Sequence, residues 1–181
     1  MMTRRNLICS VGMTMVLGLA IYAMGNPQPA EQKIRIGVFN TRAVALAHGR
    51  SKMYMEEINK LVAEAKEAKV KGDDKKFQKL DAQLKMRQEK GHWQVFCDLG
   101  IDDILKLIRP NYGEIAKNAG VSAIVEQAVY NDKNIEVIDV TELMAEQFTP
   151  DEKTQKIIKD IMKQPPVSFE DMKKAEATGT L

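Results

Sequence analysis

A chain of 181 residues with 27 basic and 25 acidic side chains is close to electrically neutral. Arg4 and Arg5 account for the whole formal charge of +2, because residues 26–181 hold 25 basic and 25 acidic residues. Proteins that bind nucleic acid normally carry a clear basic excess on one domain. The charge balance therefore argues against nucleic acid as a partner.

The first 25 residues predict a secretory signal peptide. Two arginines precede an uncharged run over residues 7–24, and Ala23 and Gly25 then stand in the small-x-small arrangement of a cleavage site. The run just reaches the length that spans a bilayer, so an uncleaved anchor in the inner membrane is the alternative. We expect a periplasmic protein that is secreted through this signal.

The rest of the chain divides into three parts by composition. Residues 26–33 are polar and proline-bearing and predict a flexible leader, 34–163 predict a single domain, and 164–181 predict a disordered tail. Cys97 is the only cysteine after residue 25, so the processed chain cannot form an intramolecular disulfide. A small buried hydrophobe is our interpretation of Cys97, with pairing between chains left open.

Three short segments predict one small β-sheet. Ile34, Ile36 and Val38 alternate with polar residues and glycine, which is typical of a strand with one buried face. Two more strands are predicted far along the chain, at 122–127 and 135–140.

Between these strands, apolar residues at steps of three and four predict a helical hairpin over about residues 51–91. The pattern breaks at Gly72, so the simplest arrangement is two antiparallel helices that project as a coiled-coil arm of about 30 Å. The predicted fold class is α+β, a small β-sheet body interrupted by this arm, with extra C-terminal helices. Pro110 is expected to bend or divide the helix that follows the arm, and Gly120 to end it.

Two surfaces of the arm are candidate binding sites. Its tip has a local basic excess, which is either a solvated turn or a contact for acidic lipid headgroups, polysaccharide or an acidic partner. Apolar residues along the arm are candidate contacts for a client protein, with ordinary helix packing as the alternative. The basic tip consists of Lys69, Lys71, Lys75, Lys76 and Lys79. The candidate client contacts are Met53, Tyr54, Met55, Ile58, Phe77 and Leu80.

Catalytic and metal-binding chemistry finds little support in the sequence. His48 and His92 are the only histidines and lie at opposite ends of the predicted hairpin. A nucleophilic Cys97 beside His92 lacks a third orienting group, and a zinc site there lacks two ligands. The pair Asp102 and Asp103 begins a predicted helix, where carboxylates stabilise the first turn. We predict no enzyme, no metal and no cofactor, and a small hydrolase is the least favoured hypothesis.

The order of these parts resembles the Skp or OmpH-like family of periplasmic chaperones. The resemblance covers about residues 33–148 and lies in the segments KIRIGVFNTRAVA, IAKNAGVSAIVEQAVY and IEVIDVTELM, together with the charged hairpin. The positions that match the family are Ile34, Ile36, Val38, Asn40, Thr41, Ile115, Ala116, Gly120, Ile124, Val125, Tyr130, Asp139 and Thr141.

The resemblance implies a homotrimer whose strands form a central β body and whose arms hold unfolded outer-membrane proteins without ATP. The chain departs from the family in its short arm, its modestly basic tip, an aromatic insertion near Trp93 and an added C-terminal helix. The expected function is a non-enzymatic holdase; the alternative is an envelope adaptor, secreted or membrane-anchored, that uses the hairpin as a spacer. The strand residues implied to form the oligomer are Ile34, Ile36, Val38, Ile124, Val125 and Val137.

Overall fold

The computed structural model describes residues 33–179 of the chain, and from Ile34 onward these residues fold as one unit. The predicted signal peptide and residues 26–32 of the predicted leader lie outside the described residues. The fold combines a small sheet with a larger number of helices, as the sequence predicts at this level.

The sheet has three parallel strands. β1 (Ile34–Val38) lies in the middle, between β2 (Ala123–Val125) and β3 (Ile135–Asp139). All three segments were expected to be strands, and their positions are confirmed. Parallel neighbours need a crossover connection, so the whole helical region between β1 and β2 serves as one long crossover.

Gly37 marks the face of the sheet that packs on the core. Its backbone is buried, and a Cβ added there would lie 3.0 Å from Val140 Cγ1 and 3.3 Å from Val121 Cγ2. The register places Ile124 and Ile138 on either side of Gly37, and both pack against the core. These side chains can approach the strand because Gly37 has no side chain of its own.

The prediction that Ile34, Ile36 and Val38 form the buried face is wrong. Because the glycine position is the core-facing one, these three residues point to the opposite face, which we call the open face. Ile34 is 56% exposed and the other two are half-buried. Val125 and Val137 join them there, since they lie opposite Val38 and Ile36 in the register.

Helix α1 (Thr41–Gly49) is the centre of the core. Asn40 caps it, since its Oδ1 accepts a hydrogen bond from the Ala43 N–H at 3.0 Å. Ala43, Val44, Ala45 and Ala47 are all buried, and such a helix must be covered on most sides. The large buried side chains around it are Phe39, Ile101, Ile104, Ile108, Ile115, Met144, Phe148, Ile158 and Ile161.

The two arm helices are α2 (Lys52–Val70) and α3 (Asp74–Phe96), and they pack against each other. Gly72 lies in the turn between them with a φ of +71°, a left-handed conformation that favours glycine. The predicted break is confirmed. The second helix runs past Gly91 to Phe96, although Gly91 was expected to end it, because a single glycine costs a helix only about 1 kcal/mol.

Pro110 divides the next helical region as expected. α4 (Asp102–Ile108) ends in a 3₁₀ turn over Arg109–Asn111, and α5 (Tyr112–Ala119) follows it. Gly120 then ends α5 with a φ of +64°, and the Val121 N–H donates to the Ala116 carbonyl at 2.9 Å.

Three helices complete the chain: α6 (Thr141–Glu146), α7 (Glu152–Ile161) and α8 (Phe169–Thr178). The prediction of a disordered tail over 164–181 is wrong for residues 169–178. These form α8, and Met172 within it is only 2% exposed. Burial of this apolar side chain stabilises the segment in spite of its polar composition.

Candidate functional site

The larger apolar side chains of the arm helices mostly face each other. Ala65, Ala68 and Leu80 are buried, whereas Ile58 and Phe77 are half-buried. This is the seam that the spacing predicted. Leu80 is therefore largely used by the contact between the helices, and Ile58 and Phe77 are only partly available to a client.

Single exposed methionines lie on the outside of the arm helices. Met53 and Met55 at the base are 50% and 43% exposed, and Met86 on α3 is 61% exposed. Tyr54 turns inward instead, with its ring centroid 4.9 Å from that of His48. The predicted cluster of Met53, Tyr54 and Met55 is thus divided between surface and interior. Met86 was missed because it lies outside the seam and far from the other methionines in sequence.

In the structure, contacts with neighbouring residues offset part of the positive charge of the basic tip. All five lysines are exposed, but Lys71 forms an ion pair with Glu67, and Lys69 lies 5.4 Å from the centre of the Phe77 ring. The hydrogen bond from Lys71 lowers the pKa of Glu67. With Glu67 counted beside Asp73 and Asp74, five basic residues face three acidic ones, which reduces the attraction for an acidic surface.

Charged contacts join the arm helices to each other and to the body. Arg87 Nη2 lies 2.7 Å from Glu57 Oε1 across the two helices. Near the base, Lys90 Nζ lies 2.6 Å from Asp103 Oδ2, and Gln94 Nε2 donates to Asp103 Oδ1 at 2.9 Å. Partial burial acts to raise the pKa of Asp103, but the hydrogen bonds from Lys90 and Gln94 outweigh it and lower that pKa. Asp103 thus fixes the base of α3 to the start of α4.

His48 lies in the same region, between the rings of Tyr54 and Phe148. Burial lowers its pKa below the ordinary value of 6.5, against the opposing charges of Asp103 and Glu57. A neutral imidazole packed between two rings is typical of a structural histidine.

A cleft of ≈370 Å³ lies at the carboxyl ends of the strands. Val38 and Val137 of the open face line one side, and Gln127, Ala128 and Asn131 of the β2–β3 connection line the other. This connection therefore passes beside the open face and covers part of it. Its Val129 and Tyr130 are nonetheless almost fully exposed, so it brings further apolar surface to this side of the molecule.

Three polar residues of the cleft, Asn40, Asp139 and Thr141, hold helix ends. The Asn40 N–H donates to Thr141 Oγ1 at 2.9 Å, and the Thr141 N–H donates to Asp139 Oδ1 at 2.8 Å. Such groups position α1 and α6 and form no acid, base and nucleophile set. Within residues 33–179, no group of three or more His, Cys, Asp or Glu is placed to hold a metal ion. Cys97 is fully buried, which is typical of a structural cysteine.

Sequence reasoning missed a contact between α8 and the end of α3. The rings of Trp93 and Phe169 meet edge to face with centroids 5.9 Å apart, and Lys173 Nζ lies 5.8 Å from the centre of the Trp93 ring. Met172 is buried in the same region. The signal in the sequence is the spacing of Phe169 and Met172, which puts both on one side of a short helix.

No protein-family model, no curated protein and no solved structure matches this chain. Across the part of the chain that the structure describes, no helix is both long and apolar enough to span a membrane. The proposed signal or anchor segment lies outside that part.

Proposed function

We propose that the protein is a non-enzymatic periplasmic holdase of the OmpH-like kind, which binds unfolded outer-membrane proteins. In this proposal the arm helices form an antiparallel hairpin that projects from the body. Clients bind along the outer surface of the hairpin and not within its seam.

The observation that carries the proposal is the exposure of Met53, Met55 and Met86 on helices whose other exposed residues are mostly charged or polar. Methionine is flexible and polarizable, so it contacts apolar segments of differing shape. The surrounding charges of both signs keep such a surface soluble and limit the strength of each contact. Weak, repeated apolar contacts suit a protein that must release its client without a source of energy.

The open face supports a homotrimer as the working form. Ile34 and Val125 are exposed there beside Val38 and Val137, on a sheet of only three strands. A small sheet with apolar residues on both faces gains stability when a second layer covers it. The resemblance also implied Ile124 for the oligomer, but Ile124 packs against the core and is therefore not part of the proposed interface.

Suppression of aggregation tests the holdase proposal. An outer-membrane β-barrel protein, unfolded in urea, is diluted into buffer with the purified protein, and light scattering is followed. We expect the wild type to suppress scattering. The triple variant Met53→Ser, Met55→Ser and Met86→Ser should lose most of that effect, because the apolar contacts are gone while the seam is intact.

The matched control changes Asn59, Gln78 and Gln88 to serine, since these are exposed polar residues on the same two helices. It should suppress scattering as the wild type does. A wild type without effect on scattering would overturn the holdase proposal. Equal activity of the two triple variants would overturn the role of the methionines.

Sedimentation equilibrium of the processed protein tests the trimer. We expect three times the chain mass, and a shift to the monomer for Ile34→Asp and Val125→Asp, since a charge on each open face repels its copies. Lys133→Asp, an exposed change in the β2–β3 connection, is the control and should stay trimeric. A monomeric wild type would contradict the proposed assembly.

The alternative function is an anchored envelope adaptor whose hairpin acts as a spacer. Ion pairs one helical turn apart favour it, because pairs such as Lys52–Glu56 and Lys85–Asp81 stiffen an isolated helix. Intact mass of the protein recovered from the envelope separates the two. Cleavage after Gly25 removes the anchor, and retention of the first 25 residues in the membrane fraction favours the adaptor.

A further inference from the structure

α8 is joined to the body by a short linker that is held at its start. Arg42, which is buried, donates from Nη1 to the Gln164 carbonyl at 2.8 Å. Pro165 and Pro166 follow, and the Val167 N–H donates to the Phe96 carbonyl at 2.8 Å. These contacts fix where the segment leaves the body, so the helix beyond them always starts beside the end of α3.

The helix itself is completed by its own residues. Ser168 Oγ accepts from the Asp171 N–H at 3.1 Å, which caps the first turn, and Asp171 pairs with Lys174 at 3.8 Å. Neither contact involves the body. α8 meets α3 through Phe169 and Lys173, and Met172, which lies on the same side of α8 as Phe169, is only 2% exposed.

The surface beneath α8 is incompletely satisfied. Trp93 Nε1 is buried, yet it has no hydrogen-bond acceptor among residues 33–179. Buried tryptophan N–H groups usually have a partner, and an unpaired one is costly. Phe169 also remains partly exposed in its contact with Trp93. α8 thus covers this surface but provides no hydrogen-bond acceptor for Trp93 Nε1.

We propose that the surface around Trp93 is a docking site for an amphipathic helix of another protein, and that α8 occupies it as a displaceable strap. The strap shows the chemistry of that partner: an aromatic residue and a methionine three positions apart, followed by a basic residue. A partner helix that also offers an oxygen atom to accept a hydrogen bond from Trp93 Nε1 binds this surface more tightly than α8 does. This site is separate from the methionines of the arm helices and does not depend on holdase activity.

Displacement is possible because the strap is tethered. A short linker keeps α8 at an effective concentration of the order of millimolar, which a ligand must overcome. A partner helix therefore binds weakly while the strap is in place and more tightly once it is released. Helix-in-groove binding of this kind is a recurring mode of peptide recognition.

Peptide binding to the full chain tests the proposal. The probe is a fluorescein-labelled, alanine-based helical peptide with Phe, Met and Lys at the spacing of Phe169, Met172 and Lys173, followed by fluorescence anisotropy. The opened variant combines Phe169→Ala with Met172→Asp. We expect it to bind the probe at least tenfold more tightly than the wild type, and a probe with Asp in place of Met to bind neither.

Two controls keep the result specific. Lys174→Ala changes an exposed residue of the same helix and should bind as the wild type does. Adding Trp93→Ala to the opened variant should lower its affinity for the probe at least tenfold, since the docking surface then lacks the Trp93 ring. Circular dichroism and thermal unfolding establish that each variant is folded, and Met172→Ser replaces the opened variant if that one is not.

Trp93 is the only tryptophan of the chain, so its emission reports on the strap directly. Opening should shift the emission to longer wavelength, and the probe should reverse the shift. Equal binding of the probe to the wild type and the opened variant would overturn the proposal, as would an opened variant that binds no probe. Aggregation suppression by the opened variant separates this result from the holdase proposal, because the exposed methionines are unchanged in it.

Discussion

The arm helices and the body are stabilised in different ways. The body buries large side chains almost completely, with Ile101, Ile104 and Met144 between 0% and 2% exposed. In the arm helices the buried residues include Ala65 and Ala68, and more than half of all positions are exposed, many of them charged. The body therefore depends on side-chain packing, whereas the arm helices depend more on local helix formation and on a thin seam.

This difference bears on function. A segment with little buried apolar surface opens and bends at low cost in free energy, which fits the proposed contact with clients of variable shape. A densely packed body tolerates little change and keeps the base of the arm in one place. The two regions should therefore respond differently to equivalent substitutions.

The largest expected effect comes from truncating one methionine in each region. Met144→Ala should lower the free energy of unfolding by about 2–5 kcal/mol, because it leaves a cavity in a core that cannot collapse. Met86→Ala is the matched control in the arm helices and should change it by no more than about 0.5 kcal/mol. Urea unfolding followed by circular dichroism measures both. Similar losses in the two variants would show that the packing of the regions does not differ.

Substituting one glycine in each region gives a second comparison, in which the expected changes in stability have opposite signs. Gly37→Val in the body should destabilise the fold by about 1–3 kcal/mol, since its new atoms overlap Val140 and Val121. Gly91→Ala in α3 meets no atom within 4 Å and should stabilise the fold by about 0.5–1 kcal/mol. Thermal unfolding distinguishes the two directions. If Gly37→Val left the stability unchanged, the core face of the sheet would have space for a larger side chain.

Leu80→Ala sharpens the comparison within the arm helices. The substitution removes the largest fully covered residue of the seam, and we expect a loss of about 1–2 kcal/mol, at or below the low end for a core site, because both helices can move closer together. Hydrogen exchange measured by mass spectrometry should become faster in residues 52–96 and stay unchanged in α1. Faster exchange in α1 as well would show that the two regions unfold together.

Acidification should weaken the junction between the regions by a smaller amount. Burial lowers the pKa of His48, so the unfolded chain takes up its proton first as the pH falls. The stabilising contribution is present above the ordinary pKa of 6.5 and is lost as the pH falls through the lower folded pKa. His48→Gln should reduce the dependence of unfolding free energy on pH in this window, as measured by urea unfolding at several pH values. An unchanged dependence in this window would contradict the role of His48, because the pKa values of Asp103 and Glu57 are lowered from 3.8 and 4.5 and these groups take up protons at lower pH.

The sequence predicts the elements better than it predicts their faces. Periodicity located the strands and the seam, and the glycines at 72 and 120 marked helix ends, because these signals are local. The buried face of β1 was assigned wrongly because Gly37 leaves its space to Val140 and Val121, which are over 80 residues away. No local pattern reports such a contact.

The candidate binding residues show the same limit. Spacing could place Leu80 in the seam, but not decide that Tyr54 turns toward His48 while its two neighbours stay exposed. α8 was missed because its composition is polar, although Met172 within it is only 2% exposed.

The central position of β1 has a consequence for the order in which the chain folds. Its partners arrive late, since Arg35 and Glu136, which pair across β1 and β3, are 101 residues apart in sequence. Contacts this distant close slowly, because the loop entropy is lost before the contact is gained. The contacts between the two arm helices, such as Glu57–Arg87, join residues much closer in sequence, so they can form while the body is still open. During synthesis both edges of β1 therefore stay unpaired until Ala123–Val125 has been made, and the second edge pairs only with Ile135–Asp139.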